Sequence, residues 1–390
     1  MNAAIDVDFL VVGAGMAGAS AAAELARRGS VAVVDMESHA GYHTTGRSAA
    51  LFTEIYGNAV IRALTRASRD FLFDTPAGFS EVPLVQPRAS LYFASTDEAD
   101  AVQRFREDAD IARATSVLSE TEVRRIIPIF RPGYLSGGAY EEGSADIEVD
   151  ALLQGFLRSA RARHASVHLG WAVRSLHREH ERWIVTTSGG TFRARVVVNA
   201  AGAWGDELAR MAGVAAVGLQ PKRRTAVLIS VPGGHPADSW PVALHLGEQF
   251  YFKPDAGHLL LSPADEEPSP PCDAQPEELD VAIAVDRFEQ ATGAPVRQVH
   301  HRWAGLRVFA PDRTPVVGFD PAAPGFFWLV GQGGYGIQTA PALGRVAAAL
   351  ASGEEIPADI ARQGVSADLL SKARFVPESP IDIQYTTVKE

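Results

Sequence analysis

Apolar residues along this chain come in short, dense runs that break sharply into glycine. Residues 9–12 (Phe-Leu-Val-Val) run straight into Gly13, Gly15 and Gly18, an alanine-rich stretch covers 17–28, and a second apolar run, Val31–Val34, ends in Asp35. Continuous apolar runs bounded by turn residues predict strands buried on both faces, and the alanine-rich stretch predicts the helix joining them. Residues 6–36 therefore read as strand, tight turn, helix, strand. Strand-like alternation marks 84–93, and 98–110 and 119–127 have helical spacing. A stronger helix is predicted over 146–163, with Leu152, Leu153, Phe156 and Leu157 as its apolar stripe and Asp150 near its start. Residues 183–188 and 191–195 flank Gly189-Gly190 as a hairpin, which leads into the all-apolar 196–198, Asn199 and a turn at 200–204. Further on, 225–231, 249–253 and 258–262 read as strands and Glu278–Thr292 as a helix. Phe326–Val330 is a last buried strand, followed by the glycine-rich 331–336 and a helix over 338–350. No internal repeat is present.

These elements predict an α/β fold: a Rossmann-type nucleotide domain, discontinuous in sequence, with a mixed or antiparallel-sheet α+β domain for substrate. The boundaries are set at 1–80, 145–215 and 316–365 for the first, 81–144 and 216–315 for the second, and 366–390 for a tail.

Composition narrows the function classes. The 390 residues are enough for two cores, and 46% apolar with 21% charged residues describes a globular protein. A net charge of −11 argues against a nucleic-acid partner, and residues 220–224 (Gln-Pro-Lys-Arg-Arg) are the one tight basic cluster. The single cysteine, Cys272, excludes an intrachain disulfide. The first apolar segment is broken by glycines and lacks a basic lead, so neither a signal peptide nor an integral membrane segment is expected; the expected setting is cytoplasmic. His43, His300 and His301 have no metal-ligand spacing, and no metal is expected.

The chemistry begins at the first turn. Gly13, Gly15 and Gly18 fit G-x-G-x-x-G with a strand before, a helix after and an acid closing the next strand, the layout that binds a dinucleotide. Gly13 allows the turn, Gly15 lets a pyrophosphate approach the backbone, and Gly18 lets helix and strand pack closely. Free N–H groups and the positive helix end face the phosphates, and Asp35 is placed to accept from a ribose hydroxyl.

Several strings, in order over roughly 5–365, resemble the FAD-dependent D-amino-acid oxidase superfamily, which includes glycine and sarcosine oxidases; within it the match is to the D-arginine dehydrogenases. They are Val12 to Ser20, Gly41-Tyr42-His43 with 45–50, Ala145-Asp146-Ile147, 198–204 (Val-Asn-Ala-Ala-Gly-Ala-Trp), 218–224, Phe250-Tyr251, 253–257 (Lys-Pro-Asp-Ala-Gly), 303–307 (Trp-Ala-Gly-Leu-Arg) and 332–339. The resemblance implies FAD, bound without a covalent link because no cysteine lies near 331–336. It implies cofactor contacts from Gly13, Gly15, Met16, Ala17, Gly18, Asp35 and Met36, from Arg47, Ser48, Ala49 and Ala50, and from Ala201, Gly202 and Trp204. Gly333, Gly334, Tyr335, Gly336, Ile337 and Gln338 would face the flavin, with the last helix N-terminus stabilising its reduced anion. It also implies that Arg307 clamps a substrate carboxylate, helped by Arg224, that the hydroxyls of Tyr56 and Tyr251 reach the substrate, and that the Gly334 carbonyl holds the amine. A planar guanidinium fork suits a carboxylate as no lysine does.

The departures bear on the side chain of the substrate. The glutamate that receives a cationic side chain in D-arginine dehydrogenases falls at Ser90, and an entrance histidine falls at Leu51. Both shift the pocket, which Thr53 also lines, towards neutral side chains. Glu54 and Glu248 are the residues able to supply a relocated acid. The expected reaction is oxidative deamination of a neutral D-amino acid to the imino acid, then the 2-oxo acid and ammonia, by hydride transfer from Cα to flavin N5. A dehydrogenase is expected over an oxidase, the electron acceptor (quinone, electron-transfer protein or O2) being open. The alternatives are a secondary amine or glycine, a cationic D-amino acid, a 2-hydroxy acid, or a flavin-binding sensor or inactive paralogue.

Overall fold

The computed structural model describes residues 4–375. Its first sheet is built on five parallel strands in the order Ser166–His168, Val31–Val34, Ile5–Val12, Thr191–Asn199, Phe326–Val330. The strands Val173–Glu179 and Arg182–Thr187 extend it as an antiparallel ribbon, and Val316–Phe319 pairs antiparallel with Phe326–Val330. The helices Met16–Leu25 and Gly336–Ala351 pack together over one face through Ala21, Ala22, Leu343, Val346 and Ala347. Small side chains allow that approach: a Cβ on Gly344 would lie 2.9 Å from the Ser20 backbone.

The second sheet has ten strands and is almost wholly antiparallel, the exception being Val242–His245 alongside Ser90–Ser95. Its two faces differ in kind, as period-two alternation requires. Phe93, Val227, Ile229, Phe252 and Leu261 point to one side, where Val281, Ala284, Phe288 and Ala291 of the helix Glu278–Thr292 cover them. Cross-strand register places Arg307, Arg224, Tyr251, Lys253, Tyr92, Ser90 and Glu141 on the other side. The basic cluster is divided by the same alternation: Arg223 pairs with Asp280 (2.9 Å) and Glu277 under the helix, while Arg224 turns to the opposite face.

A small third sheet, formed by Leu51–Phe52, Val85–Pro87 and Ala145–Ile147, lies between the two. It corrects two expectations. The alternating 84–93 is two strands in different sheets, divided after Pro87, which has no N–H for a ladder. The helix expected from 146 starts at Val149, because Asp146 belongs to a strand, held by Arg88 and by Lys253 Nζ at 2.5 Å. Residues 98–110 likewise divide into Ala101–Phe105 and Ala109–Ala114, the second capped by the Asp108 side chain.

The expected tail begins with a docked segment. Leu370 is fully buried, Lys372 Nζ lies 2.7 Å from buried Asp320, and Arg374 Nε 2.7 Å from Asp312. Residues 376–390 lie outside the described residues. No helix among the described residues is long and apolar enough to cross a membrane.

Candidate active site

Four strands of the parallel sheet end at one edge, at Val12, Val34, Asn199 and Val330, and a long cavity opens there. This is where open α/β sheets bind ligands, since helix N-termini and irregular backbone gather beyond the strand ends. Gly13, with φ +112°, turns the chain so closely against its neighbours that a Cβ would lie 2.3 Å from Ala200 O. Gly15 is different: a Cβ there would meet only Thr45 Oγ1, at 3.3 Å, so its free side is the cavity. The N-cap residue Gly15 of the helix from Met16 offers no side-chain cap, and of the first-turn N–H groups Met16 N is taken by Thr45 Oγ1. Asp35 closes the second strand with its carboxylate holding Ala14 N (2.6 Å) and Glu37 N (2.9 Å); burial pushes it above its ordinary pKa against those two donors.

Residues 41–50 fold over this turn and tie it to the large sheet. Thr45 Oγ1 accepts from Met16 N (3.0 Å), Thr44 Oγ1 donates to Leu306 O (2.7 Å), and Trp303 Nε1 donates to Arg47 O (3.1 Å). Arg47 lines the cavity, and its guanidinium is committed to Ala274 O, Ala304 O and Asp273. His43, expected to be a satisfied or solvent-facing side chain, lines the cavity with its ring on Trp204 (centroids 4.7 Å apart) and Nε2 2.9 Å from Glu37.

The other residues expected around a cofactor divide. Met16, Ala17, Met36, Ser48, Ala49, Ala201, Gly202, Trp204, Gly333, Gly334, Gly336 and Ile337 line the cavity. Gly18 does not: it packs inside the helix, where a Cβ would lie 1.9 Å from Gly13 O. Ala50 is buried outside the wall, and Tyr335 packs on Tyr56 (centroids 4.8 Å apart). Gln338 turns its amide away, onto Thr53 N, Thr53 O and Thr65 Oγ1 (3.2, 3.3 and 2.8 Å).

At the inner end the large sheet contributes Arg307, Arg224 and Tyr251. Arg307 donates from Nη1 to Tyr56 OH (3.1 Å), and among the described residues no carboxylate lies within ion-pair distance of it. Its guanidinium packs close to Gly334, where a Cβ would be 2.9 Å from Cζ. Arg224 is held by Asp265 O (2.7 Å) and by Glu266 at 3.4 Å. Burial and then the like charge of Arg307 lower its pKa, but a guanidinium stays protonated at neutral pH. Glu266 also binds Arg313 (2.7 Å) and Lys222 (3.2 Å), cations that outweigh its burial and hold its carboxyl at about 2. The cavity thus ends in two adjacent cations, one without a counter-ion. A desolvated guanidinium without a counter-ion is costly, and an anion beside it would offset that cost.

The residues expected around the substrate side chain do not line this cavity. Ser90 is fully buried and hydrogen-bonded to Ser144 Oγ (2.9 Å), and Thr53 is buried. Leu51 is half-buried in the small sheet. Glu54 is paired with Arg69 (3.0 Å), and Glu248 is exposed in a tight turn with φ +52°. Sequence reasoning missed Glu141. It ends a strand in the string Tyr-Glu-Glu-Gly, which reads as a solvated acidic turn, yet it is 3% exposed, and burial pushes its carboxyl up to about 7.

Residues 8–350 match the family model described as "FAD dependent oxidoreductase". The chain belongs to that family. Its relatives include the glycine oxidase of Pseudomonas aeruginosa, 27% identical over 89% of this chain and 95% of that protein. They also include the uncharacterized oxidoreductase YurR of Bacillus subtilis, 27% identical over 90% and 96%. The crystal structure of glycine oxidase from Geobacillus kaustophilus superposes with a TM-score of 0.79 at 22% identity, covering 90% of this chain and 96% of that one. The similarity reaches the family; closeness to D-arginine dehydrogenases in particular rests on motifs alone. The residues present suit the family cofactor: a glycine turn with space at Gly15, two helix N-termini at one cavity, and in its wall a half-buried Gln332 whose buried Nε2 has no partner among the described residues.

The contact between Gly334 and Arg307 makes a direct prediction. In Gly334→Ala the new Cβ pushes the guanidinium off its seat, since the flexible side chain yields before the backbone. Acetate affinity of the FAD-loaded protein, read from the flavin spectrum, is expected to fall about tenfold, equal to ~1.4 kcal/mol.

Proposed function

We propose that this protein oxidises the Cα–N bond of a small amino acid, a D-amino acid with a neutral side chain, to the imino acid, which water converts to a 2-oxo acid and ammonia. The observation that carries this reading is Arg307, a guanidinium without a counter-ion beside Arg224 at the end of the cofactor cavity. The bound flavin supplies the hydride acceptor. Arg307 and Arg224 hold the carboxylate and so fix which face of Cα is presented, and the Gly334 carbonyl accepts from the amine. Tyr251 lines the cavity beside the two arginines, and the Tyr56 hydroxyl reaches Arg307 Nη1, so each offers a single polar tip near the carboxylate. Either hydroxyl, or water, takes the amine proton. That Cys272 packs with Ala203, Ala274 and Leu306 and is not among the cavity-lining residues supports FAD held without a thioether bond.

A neutral side chain is favoured because the acids that would meet a cation are spent or remote: Glu54 is on Arg69, and Glu248 faces solvent. The similarity to glycine oxidases favours a second reading, in which the substrate is glycine or a secondary amine such as sarcosine. One anaerobic experiment separates them. D-leucine, D-methionine, D-phenylalanine, D-arginine, D-lysine, glycine and sarcosine are added singly, with L-amino acids as controls, and bleaching of the oxidised flavin is followed. Fast bleaching by neutral D-amino acids is expected. Bleaching by glycine and sarcosine alone moves the assignment to the second reading, and bleaching by none removes both. Readmitting air to the reduced protein then distinguishes oxidase from dehydrogenase.

A further inference from the structure

Glu141 sits on the site face of the large sheet, opposite Ser90 in register, buried and with no cation within ion-pair distance among the described residues. Its carboxylate is met by donors alone. Oε2 accepts from Thr53 Oγ1 (2.7 Å) and Tyr92 OH (3.3 Å), and Oε1 from Glu54 N (3.2 Å). Thr53 is also clasped through its own N–H and C=O by Gln338 of the last helix, whose amide reaches Thr65 as well. Three residues beyond Thr53, the hydroxyl of Tyr56 receives Arg307 Nη1. Between them Ile55 is buried, so the segment 53–56 is pinned at one end on Glu141 and meets Arg307 at the other.

We propose that Glu141 is a positioning residue whose protonation state sets how firmly the segment 53–56 holds Tyr56 against Arg307. This rests on the reading of Arg307 as a carboxylate clamp. Ionised, Glu141 accepts from all three donors, and bonds to a charged acceptor are about twice as strong as neutral ones. Protonated, it must itself donate, to Thr53 Oγ1 or Tyr92 OH, and one of those hydroxyls has to turn round. Tyr92 and Thr53 lie 3.0 Å apart and can exchange the donor role, so the knot survives protonation but grips the backbone less. The titratable groups around it are Tyr92 from the neighbouring strand, Glu54 with Arg69 from the segment and the following helix, and Tyr56 beyond Tyr92. Burial, with a smaller push from Glu54, raises the Glu141 carboxyl to about 7 against the three donors, so the change of state falls in the neutral range. Arg307 does not titrate there.

The sign follows. The clamp is firm above about pH 7 and looser below, so carboxylate affinity is expected to rise with pH. The test uses the FAD-loaded protein, with acetate as the probe and the flavin absorbance as the readout, from pH 5.5 to 8.5. In the unmodified protein the acetate Kd is expected to tighten about fivefold, the effect of roughly one hydrogen bond, across a single transition. Glu141→Gln, neutral throughout, should bind acetate at the low-pH affinity of the parent with no transition. Tyr92→Phe removes one donor to the carboxylate and should move the midpoint upward, which keeps the proposal testable even where Glu141→Gln loses FAD. A parent without pH dependence, a Glu141→Gln profile like the parent's, or an unmoved midpoint in Tyr92→Phe would overturn the role of Glu141. Acetate binding indifferent to Arg307→Lys would instead overturn the clamp on which it rests.

Discussion

Replacing Arg307 by methionine is expected to lower kcat/KM by about a thousandfold, the consequence of removing one member of a desolvated charge pair worth roughly 2–5 kcal/mol. The loss is expected because, among the described residues, Arg307 has a single hydrogen bond, to Tyr56, and no counter-ion, and in the proposed reading the charge it meets is the carboxylate of the substrate. Arg307→Lys keeps the charge but loses the fork, and about a hundredfold is expected from that geometry alone. The companion measurement is thermal unfolding. A structural ion pair would show a fall in Tm on truncation, whereas Arg307→Met should leave the Tm of the cofactor-free protein unchanged or raise it, because an uncompensated cation has been removed. A drop of several degrees together with retained turnover would assign Arg307 to the fold and not to the site.

The second large effect separates two glycines of one motif. In Gly18→Ala the added methyl meets the carbonyl oxygen of Gly13 at 1.9 Å, backbone against backbone, with Val11 Cγ1 at 3.2 Å behind it. Neither can yield without moving strand against helix. A loss of stability at or above the roughly 1–3 kcal/mol typical of overpacking is expected, with FAD lost as a result. In Gly15→Ala the methyl has only Thr45 Oγ1 at 3.3 Å, so the cofactor-free protein should fold with nearly unchanged Tm. Its methyl projects into the cavity, where we propose the FAD pyrophosphate binds, and FAD affinity is expected to fall by about two orders of magnitude, or ~2.7 kcal/mol. Cofactor-free Tm and FAD titration, measured on both variants, check this. Equal losses of Tm would show that Gly15 is structural too.

The elements that were legible beforehand share a property: their signals are local. The strand ending at Val12, the glycine turn, the helix after it and Asp35 could be read because turn geometry and burial on both faces are imposed within thirty residues of chain. The same is true of Glu278–Thr292, whose helix has the expected bounds. Where the reading went astray, a partner distant in sequence had the stronger say. Asp146 was drawn out of the helix into a strand by Val85–Pro87, Arg88 and Lys253. Contacts between distant segments also orient Gln338, on Thr53 and Thr65, and Glu54, on Arg69.

By itself the sequence determined the strand, glycine turn and helix at the start of the chain, because a glycine turn between apolar runs carries its geometry with it. Which charges stand unpaired was decided only in three dimensions. Arg223 and Arg224 are neighbours in the chain, yet strand alternation sends one to a pair of acids under a helix and the other to the side of Arg307. Glu141 and Glu142 are neighbours too, and only the first is carried inward to three donors. A side chain's chemistry is written in the sequence, but its charge state and reach depend on what the fold sets against it, and those contacts join residues tens to hundreds of positions apart.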